Sequence, residues 1–182
     1  VERSRGLGDV YKRQNTISVD NKNYMANYFV IATGSEARSL KNIEFDEKVI
    51  VSSTGALELE KIPEKMIIVG AGVIGLEMGS IYSRLGTEVT VLEFFDKVLN
   101  GMDHDISKNF KSILQRQGFK FYLNSSVSMI TRKKKGVKVT FEHVETHDQN
   151  ELSADVALVA TGRKPFTKNL KLEKIGVKLN PK

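Results

Sequence analysis

Three glycines, Gly70, Gly72 and Gly75, stand in the spacing G-x-G-x-x-G within "MIIVGAGVIGLEMGSIYSRLGTEVTVLE", Met66 to Glu93. At that spacing each has a mechanical use. The first permits a tight turn, the second lets the backbone approach a pyrophosphate, and the third lets a helix lie close on a strand. A helix opening at Val73 and Ile74 would present free N–H groups and its positive dipole end to phosphates, so the site needs no basic side chain. Gly79 lies one turn on, and Glu93 closes the next strand about 20 residues downstream, where a dinucleotide fingerprint wants an acid. The pattern therefore points to a dinucleotide rather than to a glycine turn alone.

Glu93 also narrows the ligand. A carboxylate there accepts hydrogen bonds from the adenosine ribose hydroxyls and repels a 2′-phosphate, which would need an arginine nearby. The following residues, "FFDK", hold no arginine, although Lys97 brings one positive charge. NAD is expected in preference to NADP. Glu77, two residues after the last glycine and read as part of the first helical turn, reads on its position alone as stabilising the helix dipole, and a functional role for it needs a separate argument.

Other chemistry-bearing residues do not assemble into a site. His143 and His147 are four apart, but "VET" between them falls at a strand end, and no third ligand is evident, so no metal centre is expected. His104 reads as a surface residue at a helix start. Ser52, Ser53 and Thr54 have no histidine near them in sequence, and a helix cap is their expected role. The run "TRKKKG", Thr131 to Gly136, lacks interleaved aromatics and reads as a solvated hairpin tip, not a nucleic-acid patch. Phe110, Ile113 and Leu114, with Phe119 and Phe121, have helix and strand spacing and read as core.

These residues need elements to hold them. "NTISVD" and "YMANYFVIATG" read as two strands around the turn "DNKN", with Tyr28 to Ala32 an apolar run typical of a buried strand. Ser52 to Thr54 would start a short helix with Leu57 packed beneath it. The strand "KMIIVG", a helix from about Val73 to Leu85 stopped by Gly86, and the strand "EVTVLE" form a crossover that makes the strands parallel neighbours. "DHDISKNFKSILQRQG" reads as a second helix, capped by Asp103 or Asp105, with Ile106, Phe110, Ile113 and Leu114 on one face and Gly118 past its end. "FKFYLNSSV" reads as one strand. "SMITRKKKGVKVTFEHV" reads as a hairpin around Lys134 to Gly136, "ETHDQNE" as a polar turn, and "ADVALVATG" as a strand returning to the core. The strand ends "FVIATGS" and "LVATGRKP" echo one another.

Composition is permissive. The 182 residues are 40% hydrophobic, enough for a sizeable core, and 28 basic against 22 acidic side chains give +6, which attracts anions without choosing among them. There is no cysteine, which excludes a disulfide or thiolate site within these residues. No apolar run reaches the roughly 20 residues that span a bilayer, and the N-terminus lacks a secretory pattern, so no membrane or nucleic-acid partner is expected.

The fingerprint, with "IVSSTGALELEKIPEK" before it and "ISKNFKSILQRQGFKF" and "ATGRKPFTKNL" after it, resembles the dihydrolipoamide dehydrogenase family of pyridine nucleotide-disulfide oxidoreductases. The resemblance runs from about Asn15 to Lys182. It implies an α/β fold: a Rossmann-like NAD-binding domain with a β-meander, flanked by fragments of the FAD-binding and central domains. The expected divisions are 1–14, an atypical leader not native to the rest; 15–34, the end of the FAD-binding domain; 35–165, the NAD-binding domain; and 166–182, the start of a central domain that the chain leaves unfinished. Thr33, Gly34 and Ser35 would lie on FAD. Gly70, Ala71, Gly72, Val73, Ile74, Gly75, Leu76 and Glu77, with Glu93, Val127 and Gly162, would line the NAD site, Glu77 beside the nicotinamide.

In that family dihydrolipoyl thiols reduce an active-site disulfide, the disulfide reduces FAD, and the flavin passes hydride to NAD. The resemblance implies lipoyl domains of 2-oxo acid dehydrogenase complexes as partners, a homodimer in the full-length protein, and the mitochondrial matrix or a bacterial cytoplasm as location. This stretch alone is expected to be inactive. Two rivals stay open: another NADH-linked flavin disulfide reductase or NADH oxidase, and a non-catalytic NAD-binding module.

Overall fold

A computed structural model describes residues 15–180. The expectation for the first fourteen residues lies outside them. The chain divides into two compact units: Ala37–Arg163, and the residues before and after it.

In the flanking unit, β1 (Thr16–Val19) and β2 (Lys22–Met25) form an antiparallel hairpin turned at Asp20 and Asn21, both with positive φ. Tyr28 to Ala32 departs from the expectation of a buried strand. It forms no strand, and Tyr28 and Val30 are 92% and 91% exposed, because no neighbouring strand is present among the described residues to cover the run. β3 (Ser35–Ala37) leads into the larger unit, β12 (Arg163–Pro165) leads out of it, and the two pair as a ribbon. A 3-10 turn, Leu172–Ile175, buries Leu172.

The larger unit runs β4 (Ile50–Val51), α1 (Ser53–Leu57), β5 (Lys65–Val69), α2 (Val73–Arg84), β6 (Glu88–Leu92), α3 (His104–Arg116), β7 (Lys120–Tyr122), β8 (Ser125–Arg132), β9 (Val137–His143), β10 (Gln149–Ala154) and β11 (Val156–Val159). Five strands form a parallel sheet in the order β4-β11-β5-β6-β7, and β10-β9-β8 form an antiparallel meander. The parallel strands read as continuous apolar runs because both faces are buried. Met66, Ile68, Val89, Val91, Val156 and Leu158 pack against the helices, while Ile67, Val69, Leu92, Ala157 and Val159 meet Ile130, Val139 and Phe141 of the meander. This is a mixed α/β fold with the parallel sheet between helices and meander.

The short helix forms as expected, capped by Ser52, whose hydroxyl accepts the Thr54 N–H at 3.1 Å. Leu57 does not pack beneath it. Gly55 and Ala56 are the buried residues and Leu57 is 73% exposed, since five residues make little more than one turn and present only one side to the sheet. In α3, Asp103 caps the start, but the buried side is Ser107 and Leu114 with Phe110 against the core; Ile106 and Ile113 face outward. "FKFYLNSSV" is two strands, not one. Asn124 turns the chain at φ 50°, so β7 ends the parallel sheet and β8 begins the meander. The polar turn after His143 is shorter than expected, because Gln149 to Ala154 pair with β9 as a third meander strand, and the strand that returns to the core is confined to Val156–Val159.

Arg132 of the basic run is not simply solvated. Its Nε lies 2.7 Å from Asp46 Oδ2, while Asp46 Oδ1 accepts the N–H groups of Lys48, Val49 and Ile50 at 2.7, 2.8 and 2.9 Å. Burial works to raise the Asp46 pKa, but the Ile50, Lys48 and Val49 N–H bonds and the Arg132 charge outweigh it and hold the carboxyl below its usual value. A carboxyl depressed on folding stabilises fully above its unfolded pKa, and that stability fades as pH falls through the lower folded value. Asp46→Ala is expected to cost about 1.5–3 kcal/mol at neutral pH. In thermal melts the gap between wild type and variant should hold above about pH 5 and shrink below about pH 4. A gap that persists unchanged at low pH would contradict the ionised role. No helix among the described residues is long and apolar enough to cross a membrane.

Candidate functional site

A cleft of about 560 Å³ opens at the carboxyl ends of β5, β6 and β11. Strand order accounts for its place. From β5 the chain crosses through α2 to β6 and through α3 to β7, whereas β11 and β4 lie on the other side of β5. The crossovers diverge there, and in open parallel sheets the crevice at such a reversal is where ligands bind.

The glycine turn forms its floor. Gly70 has φ 107°, and a Cβ on it would come 2.6 Å from the Ala160 carbonyl oxygen, so the turn from β5 must pass close under β11. A Cβ on Gly75 would lie 2.2 Å from the Gly70 oxygen and 3.1 Å from Ile68 Cγ2, so this glycine lets α2 settle on β5. Gly72 differs. Its φ of −77° is open to any residue, and a Cβ there would meet nothing within 4 Å. The fold has no use for the missing side chain; the free space lies at the cleft.

Gly72 is also the N-cap of α2, with no side-chain cap and no acid in the first turn, which leaves the first N–H groups to outside acceptors. Glu93 is 8% exposed, and its carboxylate is engaged by backbone: Oε2 accepts the Ala71 N–H at 2.5 Å and Oε1 the Phe95 N–H at 3.0 Å.

Of the residues singled out by sequence, Gly70, Gly72, Val73, Ile74, Glu93, Val127 and Gly162 line this cleft together. Ala71, Gly75 and Leu76 are buried beneath it as support. Glu77 is exposed, lies past the first turn of α2 and does not line the cleft, so the expected dipole contribution is misplaced by part of a turn. Lys97 does not line it either. Thr33, Gly34 and Ser35 belong to the other unit, where the Thr33 hydroxyl donates to the Phe166 carbonyl at 2.6 Å and Phe166 N–H donates to the Gly34 carbonyl at 2.9 Å.

Sequence reasoning missed Phe94 and Phe95, about half exposed and packed edge to face with centroids 5.4 Å apart. Two successive aromatics directly after a strand could have signalled a wall, since neither has a sheet to bury it. Asn100, Ser126 and Thr161 also line the cleft and carried no sequence signal. Among the described residues no three His, Cys, Asp or Glu side chains gather as metal ligands. The Nδ1 atom of His143 accepts N–H groups of its own turn, from Glu145 and Thr146.

A family model described as pyridine nucleotide-disulphide oxidoreductase matches residues 5–182. Mitochondrial dihydrolipoyl dehydrogenases of Macaca fascicularis and Homo sapiens are 51% and 50% identical over 166 residues, 90% of this chain and 32% of theirs. The mitochondrial dihydrolipoyl dehydrogenase 1 of Arabidopsis thaliana is 49% identical over 162 residues. The chain thus spans about a third of the length of these relatives. Among solved structures, the Cu(II) complex of the HOCl-induced flavoprotein disulfide reductase RclA from Escherichia coli aligns with a TM-score of 0.80 at 30% identity, covering 94% of this chain and 38% of that one. LpdA from Mycobacterium tuberculosis aligns with a TM-score of 0.80 at 28% identity, covering 91% and 36%.

Proposed function

The chain belongs to the pyridine nucleotide-disulphide oxidoreductase family, and from that premise we propose that it is the NAD-binding part of a dihydrolipoyl dehydrogenase, with edges of the FAD-binding and central domains. In this reading residues 35–165 are a Rossmann-like NAD-binding domain, 15–34 end the FAD-binding domain, and 166–182 begin the central domain. The observation that carries it is Gly72, a glycine that the fold does not require, facing free space where a pyrophosphate needs the backbone bare.

The residues present suit the group. The uncapped N–H groups at Val73 and Ile74 would take the pyrophosphate, and the lone pairs that Glu93 does not spend on backbone would take ribose hydroxyls. Val127 and Gly162 line the same cleft. By resemblance to the family, and not by the lining of this cleft, Glu77 would stand near the nicotinamide, and Thr33, Gly34 and Ser35 would touch FAD. When bound, the flavin supplies the transfer of electrons between a dithiol and the nicotinamide.

The whole protein would oxidise dihydrolipoamide held on lipoyl domains of 2-oxo acid dehydrogenase complexes, as a homodimer in the mitochondrial matrix. The likeness in name and sequence to mitochondrial dihydrolipoyl dehydrogenases supports this. With no cysteine, these 182 residues hold no thiol for disulfide exchange, and alone they are expected to be inactive.

Titration of the chain with NADH and NADPH, followed by nicotinamide fluorescence, tests the ligand. NADH is expected to bind at least about tenfold more tightly, a difference of about 1.4 kcal/mol, since Glu93 would oppose a 2′-phosphate and no cation among the described residues lines the cleft to hold it. Equal binding, or preference for NADPH, would sink the assignment.

A further inference from the structure

Glu93 follows β6, and its side chain turns back into the protein. Its two oxygens serve different parts of the cleft. Oε2 takes the Ala71 N–H, in the middle of the glycine turn, and Oε1 takes the Phe95 N–H, in the aromatic wall. Ala71 is itself 1% exposed, so its N–H has no water to fall back on, and its carbonyl accepts the Leu99 N–H at 2.9 Å.

We propose that Glu93 is a positioning residue that presets the glycine turn and the Phe94–Phe95 wall through these two N–H groups, adding to nucleotide affinity separately from any bond to the ribose. The inference rests on the NAD-binding reading and deepens it. Bonds from N–H to a carboxylate are among the stronger hydrogen bonds, and a buried N–H left without its acceptor must move or stay unpaired. A seat already in shape leaves less to be ordered when the ligand arrives. Each oxygen keeps further lone-pair capacity, so positioning and ribose binding are compatible. Glutamine is not equivalent, because its single acceptor oxygen leaves an NH2 group facing one of the two donors. Aspartate keeps the charge but is one methylene short of spanning both.

The 182-residue chain and its Glu93→Gln variant, held well below their melting temperatures, would be titrated with ADP and with 2′,3′-dideoxy-ADP, which has no ribose hydroxyl to offer. Glu93→Gln is expected to weaken dideoxy-ADP roughly tenfold, the loss of one charge-assisted bond in the seat. In the ligand-free chain it should also shift the Ala71 or Phe95 amide proton upfield. Unchanged dideoxy-ADP affinity, with the whole loss confined to ADP, would overturn the inference and leave Glu93 a ribose ligand only. If Glu93→Gln does not fold, Glu93→Asp answers the same question: weaker dideoxy-ADP binding supports positioning, and unchanged binding overturns it. A wild type that binds neither ligand overturns the NAD reading. In that case the ligand-free spectra still judge the inference, and amide protons of Ala71 and Phe95 unmoved by the substitution overturn it.

Discussion

Gly72→Ala should leave the chain as stable as wild type within about 1 kcal/mol and weaken NADH binding by about 10- to 100-fold. The two halves of that expectation come from different facts. Stability is spared because Gly72 has an ordinary φ and a Cβ there meets nothing in the protein within 4 Å; the only loss is a better helix cap for a poorer one. Binding should suffer because, on the proposed NAD-binding reading, the new methyl would stand where the pyrophosphate approaches the backbone, and an added methyl in a close contact costs about 1–3 kcal/mol. Thermal melts and a fluorescence titration measure the two separately. A variant that binds NADH normally would mean that the free space at Gly72 is not the phosphate seat.

Gly75→Ala, three residues on, should do the reverse and strike stability. Alanine would gain about 1 kcal/mol of helix propensity over glycine. Against this, its Cβ would sit 2.2 Å from the Gly70 oxygen, a backbone atom held by the turn, with Ile68 and Ala160 close behind. Neither α2 nor β5 can withdraw cheaply, because both are buried in the same core. A net loss of about 2–3 kcal/mol is expected, and for a chain of this size that lowers the melting temperature by about 4–12 °C. An unchanged melting temperature would mean that helix and strand are not packed as closely as the structure has them.

The contrast between these glycines marks what the sequence could and could not say. Strand, turn and helix around Gly70 to Leu92 were legible because local signals agreed: an apolar run, glycines at fixed offsets, a helix ended by Gly86, then a second run. The fingerprint's spacing already gave each glycine its expected use; what it could not name is the atom that leaves no room for a side chain at Gly70, the Ala160 carbonyl oxygen, 90 residues downstream. Tyr28 to Ala32 shows the opposite failure. Its composition is that of a buried strand, but a strand is made by its neighbours, and none lies beside it among the described residues. Asn124 gave no apolar or charge signal, yet its left-handed backbone divides one sheet from the next.

The cleft followed the same rule. Gly70, Gly72 and Glu93 could be chosen from spacing, because the fingerprint is local in sequence. Phe94 and Phe95 could not be assigned to it without knowing where the chain turns after β6. Nor could sequence show that the Glu93 carboxylate, expected to be waiting for ribose, already holds the Ala71 and Phe95 N–H groups.

A crystal structure of the chain soaked with NADH would locate the dinucleotide outright. It should run along the cleft, its pyrophosphate oxygens within about 3.2 Å of the Val73 or Ile74 nitrogen and against the bare face of Gly72. NADH bound elsewhere on the chain, or in the cleft with its pyrophosphate away from the glycine turn, would contradict the NAD-binding reading.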